Sequence, residues 1–265
     1  MPELPEVETI RRGLEPLVVG RRLGTAWAFP HPKFEAAYEA EGATVTGMAR
    51  RGKYLLLALH DGHELVVHLG MTGSLQVQPP AAVRGDPYLR ASWQLRTSVL
   101  AFRDVRRFGR LAVVKRGEYT GTLATQGPDA LDGDLDAEGF WLALKASRRA
   151  VKTQLLSQRP IAGVGNIYAD EALWMAQVHP RRKTVSKPQA TALLDAIRQV
   201  LTASLGNGGT TLRDYRNADG ESGRNQDRLS CYGRAGLPCR RCDTELRAIT
   251  LDARTATFCP TCQKR

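Results

Sequence analysis

The chain has 265 residues, a formal net charge of +11 and 42% hydrophobic residues. That length and apolar content suit two ordinary domains with packed cores and exclude wholesale disorder. No run approaches the roughly 18 uncharged apolar residues of a membrane helix, and the acidic start MPELPEVETI lacks the basic and apolar regions of a secretory signal.

Val7, Ile10, Leu14, Leu17 and Val18 recur at helical spacing, so the chain is predicted to open with a helix. Pro5 suits its first turn, and Glu3, Glu6 and Glu8 suit the positive end of its dipole. Residues 21–114 read as β, with strands at Arg22–Phe29, Ala43–Arg50, Tyr54–His60, Glu64–His68, Ser74–Gln78, Ser92–Arg103 and Arg110–Lys115. Arg51-Gly52-Lys53 and Asp61-Gly62 mark hairpin turns, and Pro79–Pro87 reads as a loop. Short strands separated by turns indicate a sandwich or barrel. The acidic, turn-rich Gly127–Gly139 marks a domain boundary. Helices are predicted at Ala137–Ala146, Val151–Gln158, Ile167–Ala176 and Pro188–Leu205, the last with Ser186 as its N-cap. Thr210–Asn225 has few apolar anchors and is expected to be mobile or to order on a ligand.

Of the 38 basic residues, 30 are arginine. Residues 1–139 hold 17 basic and 17 acidic side chains, 140–205 hold 10 and 3, and 206–265 hold 11 and 7. A positive field concentrated in the C-terminal half favours a polyanion, and guanidinium is the better fork for phosphate. A merely solubilising charge is the alternative.

Cys239 and Cys242, then Cys259 and Cys262, form two CxxC knuckles 16 residues apart. That is the ligand set of a tetrahedral structural zinc site, which keeps no open position for catalysis. Cys231 is surplus, a packed or partly exposed thiol. Arg240, Arg241, Arg247 and Arg254 ride on this module, either as a probe of a DNA groove or as solvated surface.

Pro2 follows Met1, and its small ring permits methionine removal. The freed amine, titrating near pH ~8, could attack an aldehyde-like carbon with Glu3 and Glu6 as proton carriers. Taken alone, the same residues are an acidic helix start. Gly163-Val164-Gly165-Asn166 precedes a helix and could cradle a phosphate, or be a plain interhelical turn. Met71 and Phe108 sit on turns from which an apolar side chain could wedge into a base stack, or simply edge the core.

Taken together, MPELPEVETIRRGL, RGKYLL, HLGMTGSL, RRFG, GVGNIYADEAL, GGTTLRDY, YGRAGLPCRRC and FCPTCQ resemble the formamidopyrimidine-DNA glycosylase family, in family order from end to end. The resemblance implies an α+β multidomain fold. An N-terminal helix and antiparallel β-sandwich (1–132) precede a helix–two-turns–helix domain with a lesion-capping loop (133–227) and a C-terminal zinc-finger hairpin (228–265). It implies a bifunctional glycosylase and abasic-site lyase of base excision repair, removing 8-oxoguanine and formamidopyrimidines, with one structural zinc ion.

By the same resemblance, Pro2 is the nucleophile, Glu3 the proton-transfer acid, Glu6 a supporting carboxylate, and Lys53 and Arg254 assist elimination. His68, Arg149, Lys152 and Asn166 are expected DNA contacts, while Met71, Arg106 and Phe108 fill the gap left by the flipped base. The expected partner is double-stranded DNA carrying an oxidised purine or abasic site, and the protein is expected to be monomeric and cytoplasmic. The family often has a histidine in the loop that here reads RGDPYLRASW, where Tyr88 or Arg90 could stand in. The endonuclease VIII branch, which prefers oxidised pyrimidines, and a non-catalytic damage binder are the rival readings.

Overall fold

The computed structural model describes residues 2–133 and 135–265, which divide into two compact units. One comprises the residues up to Ala124 with 207–224, and the other comprises 125–206 with 225–265.

The first unit opens with α1 (Leu4–Val18), whose Val7, Ile10, Leu14 and Val18 form one fully buried stripe. Then follow β1 (Ala26–Ala28), a helical turn α2 (Ala36–Glu39), β2 (Val45–Arg51), β3 (Tyr54–Leu59), β4 (His63–His68) and β5 (Gly73–Gln78). After them come the turn α3 (Pro80–Val83), β6 (Leu89–Gln94), β7 (Val99–Asp104), β8 (Arg110–Lys115) and α4 (Gly121–Thr125). The strands make two four-stranded antiparallel sheets, ordered β2-β3-β4-β8 and β1-β6-β7-β5. Leu55, Leu57 and Val67 of one sheet share a buried core with Leu75, Trp93 and Phe102 of the other and with the stripe of α1. This is the expected sandwich.

The details depart from the sequence pattern where local polar chemistry intervenes. The apolar run Ser92–Arg103 is two strands, because the polar Arg96-Thr97-Ser98 makes a tight turn closed by the Leu95 N–H on the Ser98 carbonyl at 2.8 Å. The first strand shrinks to three residues, since Arg22 only bridges Thr44. The helical turns α2, α3 and α4 are too short for periodicity to register. The Thr210–Asn225 stretch does have anchors: Tyr215 and Ala218 are buried in the first unit's core.

The second unit holds α5 (Ala137–Lys145), α6 (Val151–Leu156), α7 (Asn166–Met175) and α8 (Lys187–Gly206), then a hairpin of β9 (Arg247–Leu251) and β10 (Arg254–Phe258). Ser186 caps α8 reciprocally: Gln189 N–H donates to its hydroxyl, and Ser186 N–H donates to the Gln189 side chain. The buried stripe Ala190, Leu193, Leu194, Ile197 and Leu201 follows the predicted face.

Candidate active site

Pro2 is buried immediately before α1. Glu3 is the N-cap, and a capping box joins it to Glu6: each side chain accepts the other's backbone N–H. The Glu6 carboxylate takes the Glu3 N–H at 2.8 Å on one oxygen and the Thr210 N–H at 2.7 Å on the other. Both residues are nearly inaccessible, at 2% and 1% exposure, and the buried Pro2 directly precedes Glu3 in the chain. Gly209 makes this clamp possible. Its φ is +87°, and a Cβ there would lie 3.1 Å from Glu6 Cγ and Oε1.

Lys53 lies on the β2–β3 turn and is itself buried. The turn is tied to α1. Arg50 donates through Nε to Glu8 at 3.2 Å and through a terminal nitrogen to the Gly52 carbonyl at 3.1 Å. Glu8 also receives Arg11 and Arg12. Burial alone would raise the Glu8 pKa, but hydrogen bonds from Arg11 and Arg12 and the field of Arg50 hold it below the usual carboxylate range.

His68 ends β4, with its ring 4.8 Å from that of Tyr54. Its Nδ1 accepts the Gly70 N–H at 3.2 Å. Burial, then the charges of Arg110 and Lys53, push its pKa down to about 4. The imidazole is therefore neutral at pH 7 and carries its proton on Nε2, a donor without charge.

Asp104 builds the two neighbouring turns. This fully buried carboxylate accepts the Thr72 hydroxyl, the Arg106 N–H at 3.2 Å and the Gly109 N–H at 2.7 Å. Gly70, with φ +65°, lets the Met71 turn press against Phe108 and Gly109, since a Cβ would come within 2.5 Å of their backbone. Phe108 is left 49% exposed with the Arg106 guanidinium 4.9 Å over its ring. Arg90 does not replace the missing loop histidine. It is buried, donating to the carbonyls of Asp104, Pro87 and Leu89 and stacking over Phe29. Tyr88 remains 41% exposed.

In the second unit, Asn166 opens α7 after the Gly163–Gly165 loop. Gln158 fixes that loop, donating to the Val164 carbonyl at 2.6 Å and accepting the Gly163 N–H at 2.9 Å. The Asn166 Oδ1 is buried with no hydrogen-bond partner among the described residues.

Lys152 contradicts its expected role. Its side chain is fully buried, with Nζ 2.6 Å from Asp170 and 2.6 Å from the Thr255 carbonyl, so it cannot present its charge to DNA. The expectation failed because its partner, Asp170, comes from another helix. Instead Lys152 and Asp170, which also accepts the Thr257 N–H, pin β10 and so set where Arg254 emerges. Arg254 itself is exposed, just past a two-residue turn in which Asp252 and Ala253 both take positive φ, 45° and 59°. Thr153 and Arg149 hold that turn through the Asp252 carboxylate, at 2.6 and 3.3 Å. The Thr153 hydrogen bond, then Arg149, keep the Asp252 pKa low. Arg149 stays solvent-exposed beside it.

The four cysteines Cys239, Cys242, Cys259 and Cys262 place their sulfurs within 4.8 Å of one another. Zn–S bonds of ~2.3 Å in a tetrahedron separate thiolates by about 3.8 Å, so the cluster fits one structural zinc ion. Cys231 lies outside it, fully buried, donating to the Thr257 carbonyl at 3.1 Å, and burial pushes its thiol up. Motif reading assigns no role to Glu171, whose carboxylate accepts the backbone N–H groups of Ser230, Cys231 and Tyr232 and so anchors the entry to the zinc module. Asp104 closes its own turn onto Gly109, a local signal, whereas the partners of Arg50 and Glu171 lie 42 and 59–61 residues away and leave no local mark.

Residues 1–111 match the formamidopyrimidine-DNA glycosylase N-terminal domain, 126–216 its H2TH domain, and 236–265 the zinc finger found in FPG and IleRS. The chain is 42% identical to the formamidopyrimidine-DNA glycosylase of Thermomicrobium roseum, over 99% of each chain. It superposes on the crystal structure of the MutM (FPG) protein of Thermus thermophilus with a TM-score of 0.92 and 44% identity, covering 99% of this chain and 98% of that one. A Lactococcus lactis FPG mutant in complex with Fapy-dG-containing DNA gives a TM-score of 0.90 at 33% identity over the full length of both. With the sandwich, the helical unit, the four-cysteine module and the full-length matches in agreement, this chain belongs to the formamidopyrimidine-DNA glycosylase family.

Proposed function

We propose that the chain removes oxidised purines, 8-oxoguanine and formamidopyrimidines, from duplex DNA and then cuts the strand at the resulting abasic site, within base excision repair. The observation that carries the reading is the buried Pro2 directly preceding the clamped Glu3–Glu6 pair at the head of α1. It requires loss of Met1, which lies outside the described residues. The damaged nucleotide must leave the stack to expose C1′, at a cost of a few kcal/mol. The exposed Phe108, with Met71, replaces part of the lost stacking, and Arg106 faces the orphaned cytosine.

Pro2 nitrogen then bonds to C1′ as the glycosidic bond breaks, its electron pair leaving with the base. Glu3 handles the protons of base loss and sugar ring opening, and Glu6 holds the helix start in register. The iminium acidifies the C2′ proton. Its removal expels the 3′ phosphate, and a second elimination expels the 5′ phosphate. Lys53 and Arg254 neutralise the phosphates around the lesion, and Asn166 and the α7 N-terminus bind another. Neutral His68 donates from Nε2 to a phosphate oxygen, and exposed Arg149 adds long-range attraction. The zinc ion would serve folding alone, held by Cys239, Cys242, Cys259 and Cys262.

The proposed organisation is residues 1–132, 133–227 and 228–265 as catalytic, helix–two-turns–helix and zinc-finger parts of a monomeric, cytoplasmic enzyme. No helix among the described residues is long and apolar enough to cross a membrane.

A lesion panel with borohydride trapping tests this reading. The protein is expected to excise 8-oxoguanine and formamidopyrimidines faster than thymine glycol, and to give a covalent DNA adduct that Pro2→Gly abolishes. Faster thymine glycol excision would assign it to the pyrimidine branch. Tight binding with neither excision nor adduct would make it a damage binder.

A further inference from the structure

Trp174 lies in the last turn of α7, and its indole N–H donates to the Cys239 sulfur at 3.3 Å. Its ring packs against the module's small core of Cys239, Leu246 and Cys259, as do the flanking Cys242 and Cys262. Arg241, two residues on from Cys239, closes the arrangement. Its guanidinium lies 4.5 Å over the indole, and its two terminal nitrogens donate to the Trp174 and Met175 carbonyls at 3.1 and 3.2 Å. These carbonyls lie at the negative end of α7, where a helix's last acceptors lack partners one turn on; that of Trp174 also takes the Gln177 N–H at 3.2 Å. Arg241 therefore caps α7 rather than projecting as a free surface arginine.

We infer that Trp174 is a positioning residue for the zinc site, its indole N–H bonded to the Cys239 thiolate and, with Arg241, fastening the zinc module to the end of α7. A thiolate bound to zinc keeps lone pairs that a neutral N–H can neutralise in part. Such a bond orients the ligand, lowers its nucleophilicity and slows its protonation and departure. The partners of ligating atoms in a metal site commonly change metal affinity about 10–100-fold when removed. The connection has a further consequence. α7 is a single ten-residue helix, about 15 Å long at 1.5 Å per residue, with Asn166 at its first residue and Trp174 in its last turn. Retention of zinc and the placement of the α7 N-terminal loop are thus joined through one rigid element.

The test uses full-length, zinc-loaded protein. Trp174→Phe keeps the ring and the stack with Arg241 but removes the donor. Release of zinc to a chromogenic chelator is expected to speed up about tenfold or more. In the cobalt-substituted protein, the sulfur-to-metal charge-transfer band is expected to move to longer wavelength, because a thiolate without its hydrogen bond gives up electron density more easily. A merely structural role for the ring would leave that band in place. Unchanged release together with an unchanged band would overturn the inference. If Trp174→Phe fails to fold, Arg241→Ala decides: it keeps the donor but unfastens it, so release is expected to accelerate several-fold, and wild-type release would overturn the inference.

Discussion

His68 and Lys152 show how burial sets the job of a basic side chain. A histidine whose pKa falls to about 4 on folding binds fewer protons in the native state than in the unfolded state. Its stability contribution is complete above pH ~6.5, the unfolded value, and is lost as pH falls through the folded value. The loss is on the order of 3 kcal/mol. The melting temperature is expected to drop across that window in wild type and to drop less in His68→Gln, as scanning calorimetry at a series of pH values would show. Identical profiles would mean that the imidazole is not held neutral. Lys152→Met strands the Asp170 carboxylate in the interior and is expected to cost about 3–5 kcal/mol. Combining Lys152→Met with Asp170→Asn is expected to recover much of it. If Lys152→Met instead weakened DNA binding without loss of stability, the ammonium would be a surface contact after all. Neither environment was legible beforehand, because what surrounds a residue depends on chain segments distant in sequence. Motif position identified the residue but not its neighbours.

Long periodic elements read cleanly from sequence, whereas short ones and their ties did not. The stripes of α1 and α8 and the Asp61-Gly62 turn follow from spacing and turn chemistry alone. The split of β6 from β7 depends on a turn that apolar counting passes over. The tie between α1 and the Lys53 turn, running from Glu8 through Arg50 to the Gly52 carbonyl, links positions 42 residues apart. Arg50→Ala is expected to slow strand cleavage roughly tenfold to a hundredfold, since a shift of about 1 Å in a positioned group can cost that much. Base excision should fall less, because Glu3 keeps its clamp with Glu6. Single-turnover kinetics with separate readouts for base release and nicking would resolve the two. Equal losses in both would point to a general disturbance of the sheet.

For the molecule as a whole, charge distribution and chemistry agree. The arginine excess lies in the half that carries Asn166, Arg149 and Arg254, and the proposed phosphate-binding surface there would release counterions on binding. The logarithm of the association constant is expected to fall against log salt with a slope of about −3 or steeper, roughly 0.9 per neutralised phosphate, and a flat line would remove phosphate contact as the anchor. The four-cysteine module was legible at once, since two CxxC pairs leave little else to form, while its fastening to α7 by Trp174 was not. The proposed function rests on one chemical step, at the Pro2 nitrogen after loss of Met1. Mass spectrometry of the borohydride-trapped adduct, digested and sequenced, tests it most directly. The expected product is an N-terminal peptide that begins at Pro2, lacks Met1 and carries the reduced sugar remnant on the proline nitrogen. A remnant on the Lys53 amine, or a fully active protein that still carries Met1, would contradict it.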